Sequence, residues 1–153
     1  MPKLTQVQQL DGFIDKYSPD VAATARAALQ KMRKRLPGAI ELVYDNYNAL
    51  AIGFSPTEKT SDAVFSIALW PRWVSLFFLQ AAKLPDPKKL LKGSGAVARH
   101  IVLDAAADLD KPDVQSLMEA ALQRARVPMP ASGGGRIVVK SISAKQRPRR
   151  PAK

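Results

Sequence analysis

The chain has no cysteine and only one histidine among its 153 residues. The absence of cysteine excludes disulfides, thiolate zinc sites, thiolate-held iron–sulfur clusters and cysteine nucleophiles. A single histidine cannot form the imidazole pair that many metal sites use, and no serine lies in a Gly-x-Ser-x-Gly elbow. The sequence therefore favours a non-catalytic protein without a metal or another cofactor.

Long apolar runs are also missing. No stretch approaches the roughly 20 apolar residues that a membrane helix needs. The first residues, Met1 to Gln6, are polar and lack the apolar core of a signal peptide. We expect a cytoplasmic protein with no membrane partner, and 153 residues is the size of one domain.

Acidic residues are scarce, and they are absent from the C-terminal part. The 24 Lys and Arg residues exceed the 13 Asp and Glu residues, which gives a formal net charge of +11. Seven of the basic residues lie from Ala131 onward, where there is no acid, so the body keeps a charge of only +4. A basic tail on a mildly basic body indicates nucleic acid less strongly than a basic face would.

The composition changes after Val127. Pro128, Pro130 and the triple glycine at 133–135 predict a flexible linker, and the last residues from Lys145 predict disorder. Between them, Arg136 to Ser143 is β-prone and is either an edge strand or loose. We thus expect a domain at residues 1–127 and a flexible basic tail at 128–153. The tail either only aids solubility or binds nucleic-acid phosphates through Lys145, Arg147, Arg149, Arg150 and Lys153.

Hydrophobic periodicity predicts helices at both ends of the domain and strands between them. Apolar residues at three- and four-residue spacing indicate one helix from Thr5, a second from Ser18 to Leu36, and a last helix capped by Asp110. Alternating apolar residues indicate strands near residues 40–44, 50–54, 63–70, 73–79 and 99–103. This order predicts an α+β domain with an antiparallel sheet of about five strands, two N-terminal helices and one C-terminal helix.

A glycine loop precedes the single histidine. Backbone N–H groups in a loop such as Gly93-Ser94-Gly95 can converge on an anion, with Arg99 and His100 at its edge. The alternative is that the glycines only turn the chain, since the loop has neither Walker nor dinucleotide-binding spacing. Because strand side chains alternate, Arg99 and His100 should point to opposite faces.

Aromatic residues form a second candidate site. They lie near one arginine, and such a group suits a small polar or aromatic ligand on a concave face, although packing of the core explains aromatics as well. The members of this candidate site are Tyr44, Tyr47, Asn48, Trp70, Arg72 and Trp73.

The order of elements resembles the YdhG-like family, domain of unknown function 1801, over residues 4–126. The resemblance rests on Phe65 to Leu69, Trp73 to Phe78, the Gly93 loop, Arg99-His100-Ile101 and Leu109-Asp110 before a final helix. It implies a compact α+β domain without a settled role, and some relatives are described as frataxin-like iron chaperones. We expect a small-ligand or anion-binding module, with iron binding and delivery as one alternative and nucleic-acid association through the tail as another.

Iron handling would require a cluster of oxygen ligands. The densest carboxylates are Asp104, Asp108, Asp110 and Asp113, and the first helix adds Asp11 and Asp15. Asp110 and Asp113 are better explained as residues at a helix N-terminus, and Asp108 as a turn residue. Frataxin-type binding uses a markedly acidic surface, which a body of charge +4 does not offer.

Overall fold

The computed structural model describes residues 4–151, and the predicted α+β class is confirmed. The helices are α1 (Gln6–Asp15), α2 (Pro19–Arg35) and α3 (Pro112–Gln123). The strands are β1 (Ile40–Asp45), β2 (Leu50–Ser55), β3 (Phe65–Leu69), β4 (Val74–Phe78), β5 (Arg99–Leu103) and β6 (Ile137–Ile142). Within the described residues, no helix is both long enough and apolar enough to cross a membrane.

Local sequence explains where the helices begin. Thr5 and Gln8 form a capping box: the Thr5 hydroxyl accepts from the Gln8 N–H at 3.1 Å, and the Gln8 side chain accepts from the Thr5 N–H at 2.8 Å. Proline at the first position starts α2 and α3. The predicted cap Asp110 lies one residue too early to cap α3, because Lys111 occupies the cap position and Asp110 binds Lys31 at 2.5 Å.

The sheet has six strands in the order β5-β4-β3-β2-β1-β6. The five predicted strands form a continuous antiparallel meander, but β6 pairs with β1 in parallel. The prediction of about five antiparallel strands is therefore corrected to a mixed sheet of six. The reason is that the half-buried residues Ile137 and Val139 pack against the core, while the Glu41 N–H donates to the Arg136 carbonyl at 2.8 Å.

The C-terminal segment, residues 143–151, also differs from the disorder predicted from Lys145 onward. Arg149 is buried and donates from Nη2 to the fully buried Asp45 carboxylate at 2.9 Å. Its guanidinium lies over the Tyr17 ring, 5.6 Å from the ring centroid. Because a buried carboxylate requires partners of opposite charge, Asp45 fixes a segment that has no apolar pattern of its own.

The linker before β6 is held closely to the domain. The Gly134 and Gly135 N–H groups donate to the carbonyls of Pro37 and Ala39 at 3.1 and 2.9 Å. A Cβ at Gly134 would lie 2.4 Å from the Ala39 oxygen, so only glycine fits there. These contacts place β6 beside β1, with which it pairs.

Candidate functional site

The two faces of the central strands carry different side chains. One face packs against the helices and presents large apolar residues that are fully buried: Leu50, Ile52, Phe65, Ile67 and Leu69. Strand alternation places the intervening residues on the opposite face, which we call the open face. Its positions on β2 and β3 hold Ala51, Gly53, Ser66 and Ala68.

These small residues leave room for a cavity of about 650 Å³ on the open face. Ala51, Ser66 and Ala68 lie at its base, where the register places Ala51 opposite Ala68. The aromatic rings around them belong to Tyr47, Trp70 and Phe77. The remaining lining residues are Asn46, Asn48, Ala49, Leu79, Ala98 and Ser143.

The polar groups of the cavity are neutral. Two amides, Asn46 and Asn48, and three hydroxyl-bearing residues, Tyr47, Ser66 and Ser143, belong to the lining, which holds no charged side chain among the described residues. Trp70 stacks on Trp73 with ring centroids 5.8 Å apart, and its indole Nε1 has no hydrogen-bond partner within residues 4–151. The site thus combines an apolar body with a few hydrogen-bonding groups, as small-molecule sites do.

The structure brings three of the predicted aromatic-site residues to this cavity: Tyr47, Asn48 and Trp70. It does not bring the others. The Tyr44 hydroxyl instead shares a hydrogen bond with the Thr60 hydroxyl. Arg72 and Trp73 line a separate depression of about 200 Å³ against the start of α2.

The glycine loop lies outside the cavity lining. Gly93 has a positive φ of 106°, and the Gly95 carbonyl accepts from Arg99 Nε at 2.6 Å. His100 pairs with Phe77 across the strands, and their rings lie 5.0 Å apart. Arg99 and His100 lie on opposite faces, since their partners are the core residue Phe78 and the cavity residue Phe77. Anion binding by Gly93, Ser94, Gly95, Arg99 and His100 stays a prediction.

The acidic residues near α3 have structural partners. Asp108 accepts hydrogen bonds from the Asp104 and Ala105 N–H groups at 2.9 and 3.3 Å. Burial acts to raise the pKa of Asp108, but Lys111 and the two N–H groups outweigh it and hold the pKa below its usual value. The hydrogen bond from Lys31 likewise lowers the pKa of Asp110. Within the described part of the chain, no three His, Asp or Glu residues are grouped to hold a metal.

The predicted nucleic-acid residues are divided by the fold. Lys145 and Arg147 are exposed, whereas Arg149 is buried. Arg150 donates to the carbonyls of Lys16 and Asp15 at the end of α1, at 3.2 and 3.4 Å. Lys153 lies outside the described residues. Phosphate binding by the tail stays a prediction, but the buried Arg149 is not accessible to a phosphate.

Sequence reasoning missed most of the cavity. Its base consists of alanine and serine, which carry no chemical signal one at a time. The signal is their alternation with bulky residues in Leu50 to Phe54 and Phe65 to Leu69. An antiparallel strand that faces water usually alternates apolar with polar residues. Small neutral residues at the alternate positions therefore indicate a face that contacts something other than water.

Comparisons with known proteins do not extend this description. No family model, curated protein or solved structure matches the chain. The YdhG-like resemblance stays a prediction, and the candidate function is inferred from the geometry of the cavity.

Proposed function

We propose that the chain is a non-catalytic binding protein for a small, uncharged, mainly apolar ligand that lies in the open-face cavity. The observation that carries this proposal is the base of small residues surrounded by three aromatic rings. A volume of about 650 Å³ lies within the range of drug-sized ligand sites. Burial of apolar ligand surface against these rings supplies the affinity.

The lining selects a neutral ligand over an anion. Arg99, the arginine predicted at the edge of the glycine loop, lies on the helix-covered face and donates to the Gly95 carbonyl. Entry of a charged ligand into an apolar cavity without a countercharge would cost its hydration. The two amides instead offer neutral hydrogen bonds that orient a ligand with one or two polar groups.

The proposal is tested with N-phenyl-1-naphthylamine, a neutral apolar fluorescent probe. The only tryptophans of the chain are Trp70 and Trp73, so their emission reports directly on this region. We expect saturable uptake of one probe per chain with quenching of tryptophan emission. Ala51→Leu fills the base of the cavity and should weaken binding by at least about tenfold, which is about 1.4 kcal/mol.

The matched control is Ala27→Leu. Ala27 is exposed on α2, so the same increase in volume is made on the other side of the sheet. This variant should bind the probe like the unaltered chain. Non-saturating uptake, or equal affinity of the two variants, would contradict the proposal.

A further inference from the structure

The C-terminal segment is bonded directly to the turn that lines the cavity. This turn, residues 46–48, joins β1 to β2 and has three exposed residues. Arg149 Nη2 donates to the Asn46 carbonyl at 2.5 Å, and the Arg147 N–H donates to the Tyr47 carbonyl at 2.8 Å. The segment therefore holds the backbone of two lining residues, and Ser143 of the same segment contributes to the lining.

Asp45 fixes the position of this segment. Its fully buried carboxylate accepts from Lys16 Nζ at 2.9 Å, Gln146 Nε2 at 2.8 Å and Arg149 Nη2 at 2.9 Å. The Asp45 carbonyl also accepts from the Ser143 N–H at 2.8 Å. Charge-assisted bonds to a buried group are short and directional, so they fix the position of the segment next to the turn.

The turn has few restraints of its own. One backbone bond, from the Asn46 N–H to the Ala49 carbonyl at 3.0 Å, closes it. Tyr47 is 51% exposed, so its ring is not fixed by burial. Short exposed turns of this kind open locally unless something ties them down. Here the restraints are the hydrogen bonds that the Arg149 side chain and the Arg147 N–H donate to the turn.

We infer that Arg149 is a positioning residue of the ligand cavity and that ligand binding is coupled to docking of the C-terminal segment. The inference rests on the proposed function, since it concerns the same cavity. A ligand that contacts an already ordered turn does not bear the cost of ordering it. Coupling is reciprocal, so the bound ligand also stabilises the docked segment.

The way Arg149 is bonded predicts which substitution restores the turn. One nitrogen, Nη2, contacts both Asp45 and Asn46, whereas Nε and Nη1 are buried without hydrogen-bond partners among the described residues. A lysine ammonium carries three donors and can make both contacts from one nitrogen. Arg149→Lys should therefore restore much of what Arg149→Gln loses.

The experiment measures two quantities in each variant: hydrogen exchange of the backbone amides in residues 46–49, and affinity for N-phenyl-1-naphthylamine. In Arg149→Gln we expect at least about tenfold faster exchange of the turn and at least about fivefold weaker probe binding. Arg149→Lys should lie close to the unaltered chain. Arg150→Gln is the matched control, because within residues 4–151 Arg150 bonds only to carbonyls at the end of α1.

A second variant guards against loss of folding. Arg149→Gln leaves Asp45 without its buried cation, so the double variant Asp45→Asn/Arg149→Gln, which removes the orphaned charge, is measured beside it. Faster turn exchange and weaker probe binding in the double variant support the inference as they do in the single one.

The outcomes separate the two proposals. If the unaltered chain does not bind the probe, the proposed function fails and the coupling fails with it. If the unaltered chain binds but Arg149→Gln binds equally well, only the coupling is overturned, whatever the exchange rates. Equal losses in Arg150→Gln and Arg149→Gln would also overturn the role assigned to Arg149.

Discussion

The two faces of the central sheet share the same strands and differ in what fills the space above them. On the helix-covered face, leucine, isoleucine and phenylalanine are packed to full burial beneath α1 and α2. On the open face, alanine, serine and glycine occupy the alternate positions of β2 and β3 and leave a cavity. Alternation with a period of two allows one segment to hold the fold together and to shape a binding site.

This difference separates stability from binding. Large side chains on the covered face gain free energy by burial, and each is surrounded by others of its kind. Small side chains on the open face contribute little burial, so substitutions there should change the cavity more than the fold. The covered face also contains the buried ion pair of Asp45 and Arg149, which connects the two faces through the 46–48 turn.

The largest expected effect is the loss of stability when β6 and the C-terminal segment are removed from the covered face. A chain that ends at Gly135 lacks β6, and Asp45 loses its bonds to Gln146 and Arg149. Removal of one partner from a buried pair costs about 3–5 kcal/mol. Since a domain of this size has about 5–15 kcal/mol of stability in total, the shortened chain should unfold at a much lower urea concentration.

Circular dichroism during urea unfolding measures this effect. A chain that ends at Arg150 is the control, because it keeps β6 and every contact of Arg149. Equal urea midpoints for the two shortened chains would show that the segment is not part of the folded domain.

The next effect compares neighbouring residues on the two faces of β3. Ile67 is fully buried on the covered face, so Ile67→Ala should lower the free energy of unfolding by about 3 kcal/mol. Ser66→Ala, one residue earlier on the open face, should change it by less than about 1 kcal/mol. Urea unfolding of both variants gives the comparison. Similar losses would mean that the two faces do not differ in their contribution to stability.

The sequence predicted what depends on local pattern. The period of the apolar residues located three helices and five strands, and the order of these elements predicted an antiparallel sheet. The capping box at Thr5 and Gln8 likewise joins residues that lie within four positions of each other. In each case the interacting residues are close in the chain, so the pattern and the contact coincide.

Long-range contacts were not predictable in this way. β6 pairs with β1 across almost a hundred residues, in parallel, and no turn sequence fixes that register. Asp45 and Arg149 are separated by 104 positions, and a basic, proline-containing tail gives no local sign that one arginine is buried. Of the cavity, the aromatic and amide residues Tyr47, Asn48 and Trp70 were predicted because they are chemically distinctive. Its alanines and serines were not, because only their shared face distinguishes them.

The smallest effect concerns the pH dependence of the covered face, where Tyr17 lies buried and its hydroxyl accepts from the Leu50 N–H at 3.0 Å. Burial raises the pKa of Tyr17 above its usual value, although Arg149 and the Leu50 N–H oppose the shift. Above the unfolded pKa of about 10, the unfolded chain loses this proton before the folded chain does. Stability should therefore fall as the pH rises from about 10 towards the folded pKa, by at most about 1.4 kcal/mol per pH unit from this group.

Urea unfolding between pH 8 and 10.5 should show a shallower decline in Tyr17→Phe than in the unaltered chain, whereas Tyr47→Phe on the exposed turn should decline like the unaltered chain. Identical slopes in all three proteins would remove Tyr17 as the source of the decline.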